Sequence, residues 1–171
     1  MRVRTVYRGH IVRVEEWRLR LGSGRTVTRE VVRHPGAVVV LPRLPDGRFI
    51  LVRQFRLAVG HTLLEAVAGT LKPGERPERC AARELREESG FAAARLVRLG
   101  KVYPVPGYGS EVMHFFFADL QPGHSPLPQD EDENVTAVAL TKRELERRIR
   151  TGEVRDAKTL AIWLLYRARK P

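Results

Sequence analysis

Alternating apolar and polar residues predict paired strands over the first third of the chain. The segment HIVRVEEWRLRL alternates, turns at GSG and resumes as RTVTREVV, which is the pattern of a β-hairpin. A second hairpin is predicted where GAVVVLPRL and RFILVRQFR flank the turn sequence PDG. The short run LLEAVAG predicts one further strand, which ends in a loop containing glycine and proline.

The remainder of the chain contains both helical and strand-like patterns. PERCAARELREES predicts a helix, with Pro77 in its first turn and Gly90 past its end. RLVRLGKVYPVPG, EVMHFFFADL and VTAVAL predict three more strands, and the long polar loop QPGHSPLPQDEDEN precedes the last of them. Thr141 and Glu144 form a capping box for a second helix, and Asp156 can cap a third, AKTLAIWLLYRAR. Mostly antiparallel strands with a few helices indicate an α+β fold.

Length and composition narrow the class of protein. At 171 residues the chain can form one domain with a substantial core. It has no apolar run long enough to span a bilayer, and its opening MRVRTVYRGH lacks the apolar stretch of a signal peptide. The single cysteine, Cys80, excludes an intrachain disulfide. These features lead us to expect a cytoplasmic protein.

The formal charge of +11 raises the question of a nucleic-acid partner. The charge is uneven, because residues 1–60 carry 13 Lys and Arg against 4 Asp and Glu, residues 134–171 carry 10 against 4, and residues 61–133 carry 8 against 12. The sequence contains no recognition module and no basic motif interleaved with aromatic residues. An arginine-rich solvated surface is therefore favoured over nucleic-acid binding. Some of these arginines can hold a small phosphate substrate.

The acidic centre of the chain holds a candidate metal site. Glu84, Glu87 and Glu88 are related by helical spacings of three and four residues, so they project from one face. Three carboxylates at this spacing repel one another unless a cation lies among them, and oxygen ligands suit Mg²⁺ or Mn²⁺. On this spacing alone, a solvated helix with glutamate–arginine pairs remains the alternative.

The full spacing around these acids is more specific. From Gly69 the chain reads glycine, five residues, Glu75, seven residues, Arg-Glu-Leu, one residue, Glu-Glu, one residue, and then glycine and Phe91. This pattern resembles the Nudix box, G-x5-E-x7-R-E-U-x-E-E-x-G-U with U apolar, at every specified position. The resemblance implies an enzyme that hydrolyses a nucleoside diphosphate linked to another group and that uses a divalent metal.

The resemblance also implies which residues bind the metal. Glu84 and Glu88 are expected to be the chief ligands of Mg²⁺, for which Mn²⁺ can substitute. Glu87 is expected to be a further or water-mediated ligand, and the carbonyl of Ala68 an additional one. The metal would neutralise charge on the diphosphate and activate a water molecule, whose proton a carboxylate base outside the helix would take.

Four residues of the box are expected to have structural roles. Glu75 and Arg83 are expected to pair and to orient the loop against the helix. Gly69 and Gly90 are expected at turns where a Cβ would hinder the backbone.

Segments outside the box resemble the ADP-ribose pyrophosphatases of this family. The resemblance extends over nearly the whole chain and is carried by TREVVRHPGAVVVLP, ILVRQFRLAVGHTLLEAVAGTLKPGE, VYPVPGYGSE and DEDENV. It implies that Arg56 contacts the diphosphate, that Glu111 lies near the terminal ribose, and that Arg29 reaches the nucleotide across a dimer interface. Glu131 is expected to be the general base, with Glu133 as a metal-side helper or a rival base.

The family's architecture and activity complete the expectation. The resemblance implies an α/β/α sandwich around a mixed sheet in residues 35–171, and an N-terminal β segment, residues 1–34, that is exchanged in a homodimer. The expected reaction is Mg²⁺-dependent hydrolysis of ADP-ribose to AMP and ribose 5-phosphate. The alternatives are another nucleotide sugar, a dinucleotide or a flavin nucleotide as substrate, or a non-catalytic nucleotide sensor or nucleic-acid-binding module. The complete set of box carboxylates argues against the non-catalytic alternatives.

Overall fold

The computed structural model describes residues 1–124, 126–128 and 135–171 of the chain. In these residues a three-stranded sheet and a seven-stranded sheet are accompanied by three helices. The strands are β1 (Arg2–Arg8), β2 (Arg13–Arg20), β3 (Thr26–Arg33), β4 (Ala37–Arg43), β5 (Phe49–Arg56), β6 (His61–Glu65), β7 (Val67–Thr70), β8 (Ala93–Val102), β9 (Met113–Leu120) and β10 (Val135–Leu140). The helices are α1 (Pro77–Ser89), α2 (Lys142–Arg150) and α3 (Ala157–Arg169).

The first predicted hairpin forms the smaller sheet. Strands β2 and β3 pair antiparallel without interruption, from Arg13 opposite Arg33 to Arg20 opposite Thr26. Strand β1 adds a third strand that the predicted hairpin does not include, and it pairs antiparallel with β2. Every residue of β1 is exposed, so this sheet contributes little to the core.

The larger sheet is mixed. Its strand order is β10-β5-β4-β9-β8, with β6 paired to β5 and β7 paired to β4. Strands β4 and β9 are parallel, whereas the other pairs are antiparallel. The predicted β4–β5 hairpin is present, but the two strands pair with each other only at Arg43 and Phe49, next to the turn.

The single strand predicted for LLEAVAG is two strands in the structure. The chain pairs with β5 as far as Glu65, breaks at Ala66, and pairs with β4 from Val67 onwards. At the break, the N–H of Ala66 donates to Oγ1 of Thr159 in α3 at 2.7 Å. This N–H is therefore satisfied by a helix rather than by a neighbouring strand, and the chain can change partners at this point.

Helices cover both faces of the larger sheet. Residues Val39 and Leu41 of β4 pack in the core that includes α2 and α3, whereas Val38 and Val40 pack in the core that includes α1. The unbroken apolar run in β4 follows from this, because a strand buried on both faces has no polar side to alternate with. The structure confirms the α+β class and the α/β/α layering that the sequence predicts.

The three predicted helices begin and end at their expected signals. Pro77 occupies the first turn of α1, and Gly90 ends that helix in the left-handed conformation, with φ of 75°. The capping box of Thr141 and Glu144 is present at α2, and Asp156 accepts from the N–H of Thr159 at the start of α3. Among the described residues, no helix is long and apolar enough to cross a membrane.

Candidate active site

Two glutamates of α1 are buried against the end of β7. The residues Glu84 and Glu88 are only 5% and 4% exposed. The N–H of Ala68 donates to Oε2 of Glu88 at 3.2 Å. A Cβ added to Gly69 would lie 1.9 Å from the carboxylate of Glu84, so only glycine allows this close approach. The local sequence thus brings two acidic side chains onto the backbone of Ala68 and Gly69.

The loop before α1 is fixed by an ion pair. Arg83 donates from Nε to Oε1 of Glu75 and from Nη2 to its Oε2, both at 3.0 Å. The second of these oxygens also accepts from the N–H of Lys72 at 3.0 Å. The hydrogen bonds from Arg83 lower the pKa of Glu75 to about 2. The pair that the sequence predicts is therefore present, and it joins the helix to the loop.

Arg83 also contacts the other acids of the helix. Its Nη1 donates to Oε1 of Glu84 at 2.6 Å and to Oε2 of Glu87 at 2.8 Å. These contacts offset the repulsion between the two carboxylates in this arrangement. The sequence predicts only the contact with Glu75.

The donors at this site fit a divalent cation by their chemistry. Glu84, Glu87 and Glu88 supply carboxylate oxygens on one helix face, two of the three side chains are almost fully buried, and the strand end at Ala68 lies beside them. Within the described residues, no three or more His, Cys, Asp or Glu side chains are arranged so that they could hold a metal ion. The guanidinium of Arg83 lies between Glu84 and Glu87 instead.

The one cysteine of the chain lies behind these acids. Cys80 is fully buried, and burial raises the pKa of its thiol to about 12, with Glu84 and Glu75 contributing in the same direction. A thiol with such a high pKa is not a nucleophile at neutral pH.

Arg56 lies on the sheet face that α1 covers. Val52 of β5 packs in the core on the α1 side, and Glu65 of β6 lies opposite Val52 in the paired strands. Because side chains alternate along a strand, Arg56 shares that face with Val52. The pKa of Arg56 is raised, chiefly by its hydrogen bonds to Glu65 and to a smaller extent by the charge of Glu88. Arg56 therefore lies close enough to Glu88 for the two charges to interact.

A charge network around the buried Glu65 holds Arg56, and sequence reasoning missed it. Arg56 donates from Nε and Nη2 to the two oxygens of Glu65 at 2.8 and 2.6 Å. Glu65 also accepts from Lys158, which donates to Oδ1 of Asp156 at 3.0 Å. The one signal in the sequence is a carboxylate inside the apolar strand LLEAVAG, because an acid is seldom buried without a partner.

Glu111 lies in a loop that is hydrogen-bonded to the smaller sheet. The N–H of Val32 donates to the carbonyl of Tyr108 at 2.7 Å, and the N–H of Ser110 donates to the carbonyl of Val32 at 2.9 Å. Glu111 itself lies 3.6 Å from Nδ1 of His34, measured from Oε1. The predicted ribose-side residue is thus held next to the junction of the two sheets.

The remaining predicted residues lie apart from this cluster or outside the described residues. Arg29 is an exposed residue of β3, and its Nη1 donates to the carbonyl of Thr28 at 2.9 Å. Glu131 and Glu133 lie outside the described residues. Gly90 lies beneath the ring of His124, because an added Cβ would lie 1.8 Å from its Nε2.

A cleft of about 510 Å³ opens beside the box. Its walls include His10 and Ile11 from the β1–β2 connection, together with Gly69, Arg83 and Glu84. A second cleft, also of about 510 Å³, lies where β4 ends and is lined by residues such as Arg43 and Asp119. The first cleft is the candidate site, because Glu84 of α1 lines it, whereas Asp119 of the second is already paired with Arg43 at 2.6 Å.

Comparison with known proteins gives matches over most of the chain. A family model for the NUDIX domain matches residues 32–161. The ADP-ribose pyrophosphatase of Bacillus subtilis (strain 168) is 37% identical over 155 residues, covering 90% of this chain and 84% of its own. The GDP-mannose pyrophosphatase of Escherichia coli (strain K12) is 32% identical over 149 residues, covering 78% of each chain. A crystal structure of an ADP compounds hydrolase matches with a TM-score of 0.86 at 27% identity, covering 98% of this chain and 91% of that one.

Proposed function

The chain is a Nudix pyrophosphohydrolase of the NUDIX domain family, and we propose that it hydrolyses the diphosphate of ADP-ribose to AMP and ribose 5-phosphate. The observation that carries this proposal is the burial of Glu84 and Glu88 at the end of β7, on the sheet face that also presents Arg56. This arrangement supports a site that combines acidic metal donors with a cation for phosphate. The similarity to the ADP-ribose pyrophosphatase of Bacillus subtilis supports the choice of substrate.

The metal proposed for this site is Mg²⁺, with Mn²⁺ as a substitute. Glu84, Glu87, Glu88 and the carbonyl of Ala68 would hold it. When bound, the ion neutralises charge on the diphosphate and lowers the pKa of a bound water. The carboxylate oxygens gathered beside Ala68 support this assignment, since oxygen donors of this kind suit Mg²⁺.

Residues outside α1 are proposed to bind and orient the substrate. Arg56 binds the diphosphate, Glu111 lies toward the terminal ribose, and Arg29 reaches the nucleotide from the partner subunit. Glu131 takes the proton of the attacking water, with Glu133 as helper or rival. A comparison of Glu131→Gln with Glu133→Gln identifies the base. The variant that lacks the base should show lower turnover but unchanged metal binding.

The proposed assembly is a homodimer formed through residues 1–34, with the hydrolase domain in residues 35–171. Its support is the edge strand β1, which exposes Val3, Val6 and Tyr7 by 43%, 48% and 57%. Exposed apolar side chains on an unpaired edge favour association with a second chain. A cytoplasmic location is part of the proposal, because the one cysteine is a buried free thiol.

A second candidate substrate is another nucleotide sugar. The similarity to the GDP-mannose pyrophosphatase of Escherichia coli favours it, since that protein acts on a nucleotide sugar other than ADP-ribose. A dinucleotide or a flavin nucleotide would present the same diphosphate to Arg56.

A substrate panel tests the proposal. The purified protein is incubated with Mg²⁺ and with ADP-ribose, GDP-mannose, a dinucleotide or a flavin nucleotide, and the products are followed by chromatography. The highest kcat/KM is expected for ADP-ribose, with AMP and ribose 5-phosphate as products. Absence of AMP from the ADP-ribose reaction at every Mg²⁺ concentration contradicts the proposal. A higher kcat/KM for another compound identifies that compound class as the substrate.

A further inference from the structure

The carboxylate of Glu65 is buried between two cations from different parts of the chain. Its side chain is 1% exposed and contacts Arg56 from β5 and Lys158 from α3. Burial raises the pKa of this carboxyl, but the hydrogen bonds from Arg56 and Lys158 outweigh that effect and lower its pKa overall. Glu65 is therefore an ionised acid in the interior, held by its two partners.

The geometry of the contact orients the guanidinium of Arg56. Two nearly parallel hydrogen bonds, from Nε at 2.8 Å and from Nη2 at 2.6 Å, engage both oxygens of Glu65. A bidentate contact of this kind fixes the plane of the guanidinium. An arginine has five N–H donors in a rigid fork, and these two bonds use only the edge that faces Glu65. The remaining N–H groups point away from Glu65, and the Arg56 side chain is 37% exposed.

Lys158 and the start of α3 complete the support. Lys158 bonds both Glu65 and Asp156, and Asp156 accepts from the N–H and from Oγ1 of Thr159 at 2.9 and 2.5 Å. Oγ1 of Thr159 in turn accepts from the N–H of Ala66, next to Glu65. The carboxylate is thus anchored at the point where α3 meets the β6–β7 junction. Lys158 also keeps Glu65 from cancelling the charge of Arg56, because the acid is shared between two cations.

We infer that Glu65 is a positioning residue, backed by Lys158, that holds the guanidinium of Arg56 toward the substrate diphosphate. This inference rests on the proposed function, since it needs Arg56 to bind the diphosphate. Glu65 acts through Arg56 and has no contact of its own with the substrate. Its loss should therefore have no effect on substrate binding once Arg56 has been removed.

A double-mutant cycle with ADP as the probe tests this dependence. ADP affinity is measured by calorimetry for the wild type, Glu65→Gln, Arg56→Ala and the double variant, and KM and kcat for ADP-ribose are measured in parallel. Because the guanidinium of Arg56 then loses its fixed orientation, we expect Glu65→Gln to weaken ADP binding about tenfold and to raise KM more than it lowers kcat. In the Arg56→Ala background, the same change should leave ADP affinity unaltered.

A matched control and a second variant make the outcome decisive. Asp119→Asn breaks a comparable arginine–carboxylate contact, with Arg43, at the far end of β4, and it should leave ADP affinity unchanged. Lys158→Met keeps the Glu65–Arg56 pair but removes the second cation that holds Glu65, and it should weaken ADP binding by about threefold. This variant tests the inference independently if Glu65→Gln does not fold.

The results separate this inference from the proposed function. Wild-type ADP affinity in Glu65→Gln and Lys158→Met, or equal weakening by Glu65→Gln in both backgrounds, overturns the positioning role while the hydrolase activity stands. A wild-type protein that neither binds ADP nor hydrolyses any nucleotide sugar overturns the proposed function, and the positioning role with it.

Discussion

At the scale of single residues, two arginines organise the acids of the site. Arg83 bonds Glu75 through one edge of its guanidinium and Glu84 and Glu87 through Nη1, whereas Arg56 is held by Glu65. These bonds keep like-charged carboxylates close together and fix the direction of each cation. The electrostatics of the site are therefore set by contacts among side chains as much as by the acids themselves.

Removal of one proposed metal ligand should abolish turnover without unfolding the protein. The glutamine in Glu88→Gln retains a side-chain oxygen that can accept from the N–H of Ala68. Loss of a residue that only hydrogen-bonds to a metal ligand costs about 10–100-fold in metal affinity or activity. Loss of a ligand itself should cost at least as much, so we expect turnover to fall by at least about 100-fold. Product release is measured with ADP-ribose and Mg²⁺, and folding is followed by thermal unfolding. Glu78→Gln, in the first turn of the same helix, serves as the control, and a near-normal rate in Glu88→Gln contradicts the assignment.

The close approach at Gly69 predicts a second sensitive position. In Gly69→Ala the added methyl group would lie 1.9 Å from the carboxylate of Glu84, so that carboxylate must move. We expect a loss of about 1–3 kcal/mol in the free energy of unfolding, together with a fall in turnover. Chemical denaturation and product release are the measurements. Gly22→Ala is the control, because nothing lies within 4 Å of its added Cβ, and equal behaviour of the two variants would contradict the steric explanation.

At the scale of elements, local patterns predict most of the fold. The helix signals at Pro77, Thr141 and Asp156 are short-range and act where the sequence places them. The division of LLEAVAG into β6 and β7 could not be predicted, because it depends on Thr159, which lies 93 residues from Ala66. The same limit applies to the site. The resemblance to the Nudix box predicts the Glu75–Arg83 pair, whereas the partners of Glu65 come from two other elements and are brought to it only by the fold.

The contact between α3 and the β6–β7 junction should stabilise the fold measurably. Thr159→Val keeps the shape of the side chain but leaves the buried N–H of Ala66 without its acceptor. An unsatisfied buried donor costs about 1–3 kcal/mol, so we expect a loss of that size in the free energy of unfolding. Urea denaturation measures it. Thr62→Val, at an exposed position of β6, is the control and should stay within about 0.5 kcal/mol of the wild type, and equal stability of the two variants is the contrary result.

At the scale of the whole molecule, the smaller sheet is hydrogen-bonded to the loop that contains Glu111. Val32 of β3 exchanges hydrogen bonds with Tyr108 and Ser110, and the β1–β2 connection lines the cleft beside the box through His10 and Ile11. An N-terminal segment that only held two subunits together would not need these contacts. If the proposed dimer forms through this segment, its assembly would affect the shape of the cleft, as the proposed reach of Arg29 into a partner's site requires.

Mixing two impaired variants tests whether Arg29 acts across the dimer. A site formed by Arg29 of one subunit and the acids of the other is intact in one of the two sites of a mixed dimer that combines Arg29→Ala with Glu88→Gln. Random reassociation of equal amounts makes half of the dimers mixed, so about a quarter of wild-type activity should return. Each variant alone should show a much lower kcat/KM for ADP-ribose, and sedimentation should give a mass about twice that of the chain. If Arg29 served the site of its own subunit, every mixed dimer would contain one impaired site of each kind, and mixing would restore nothing.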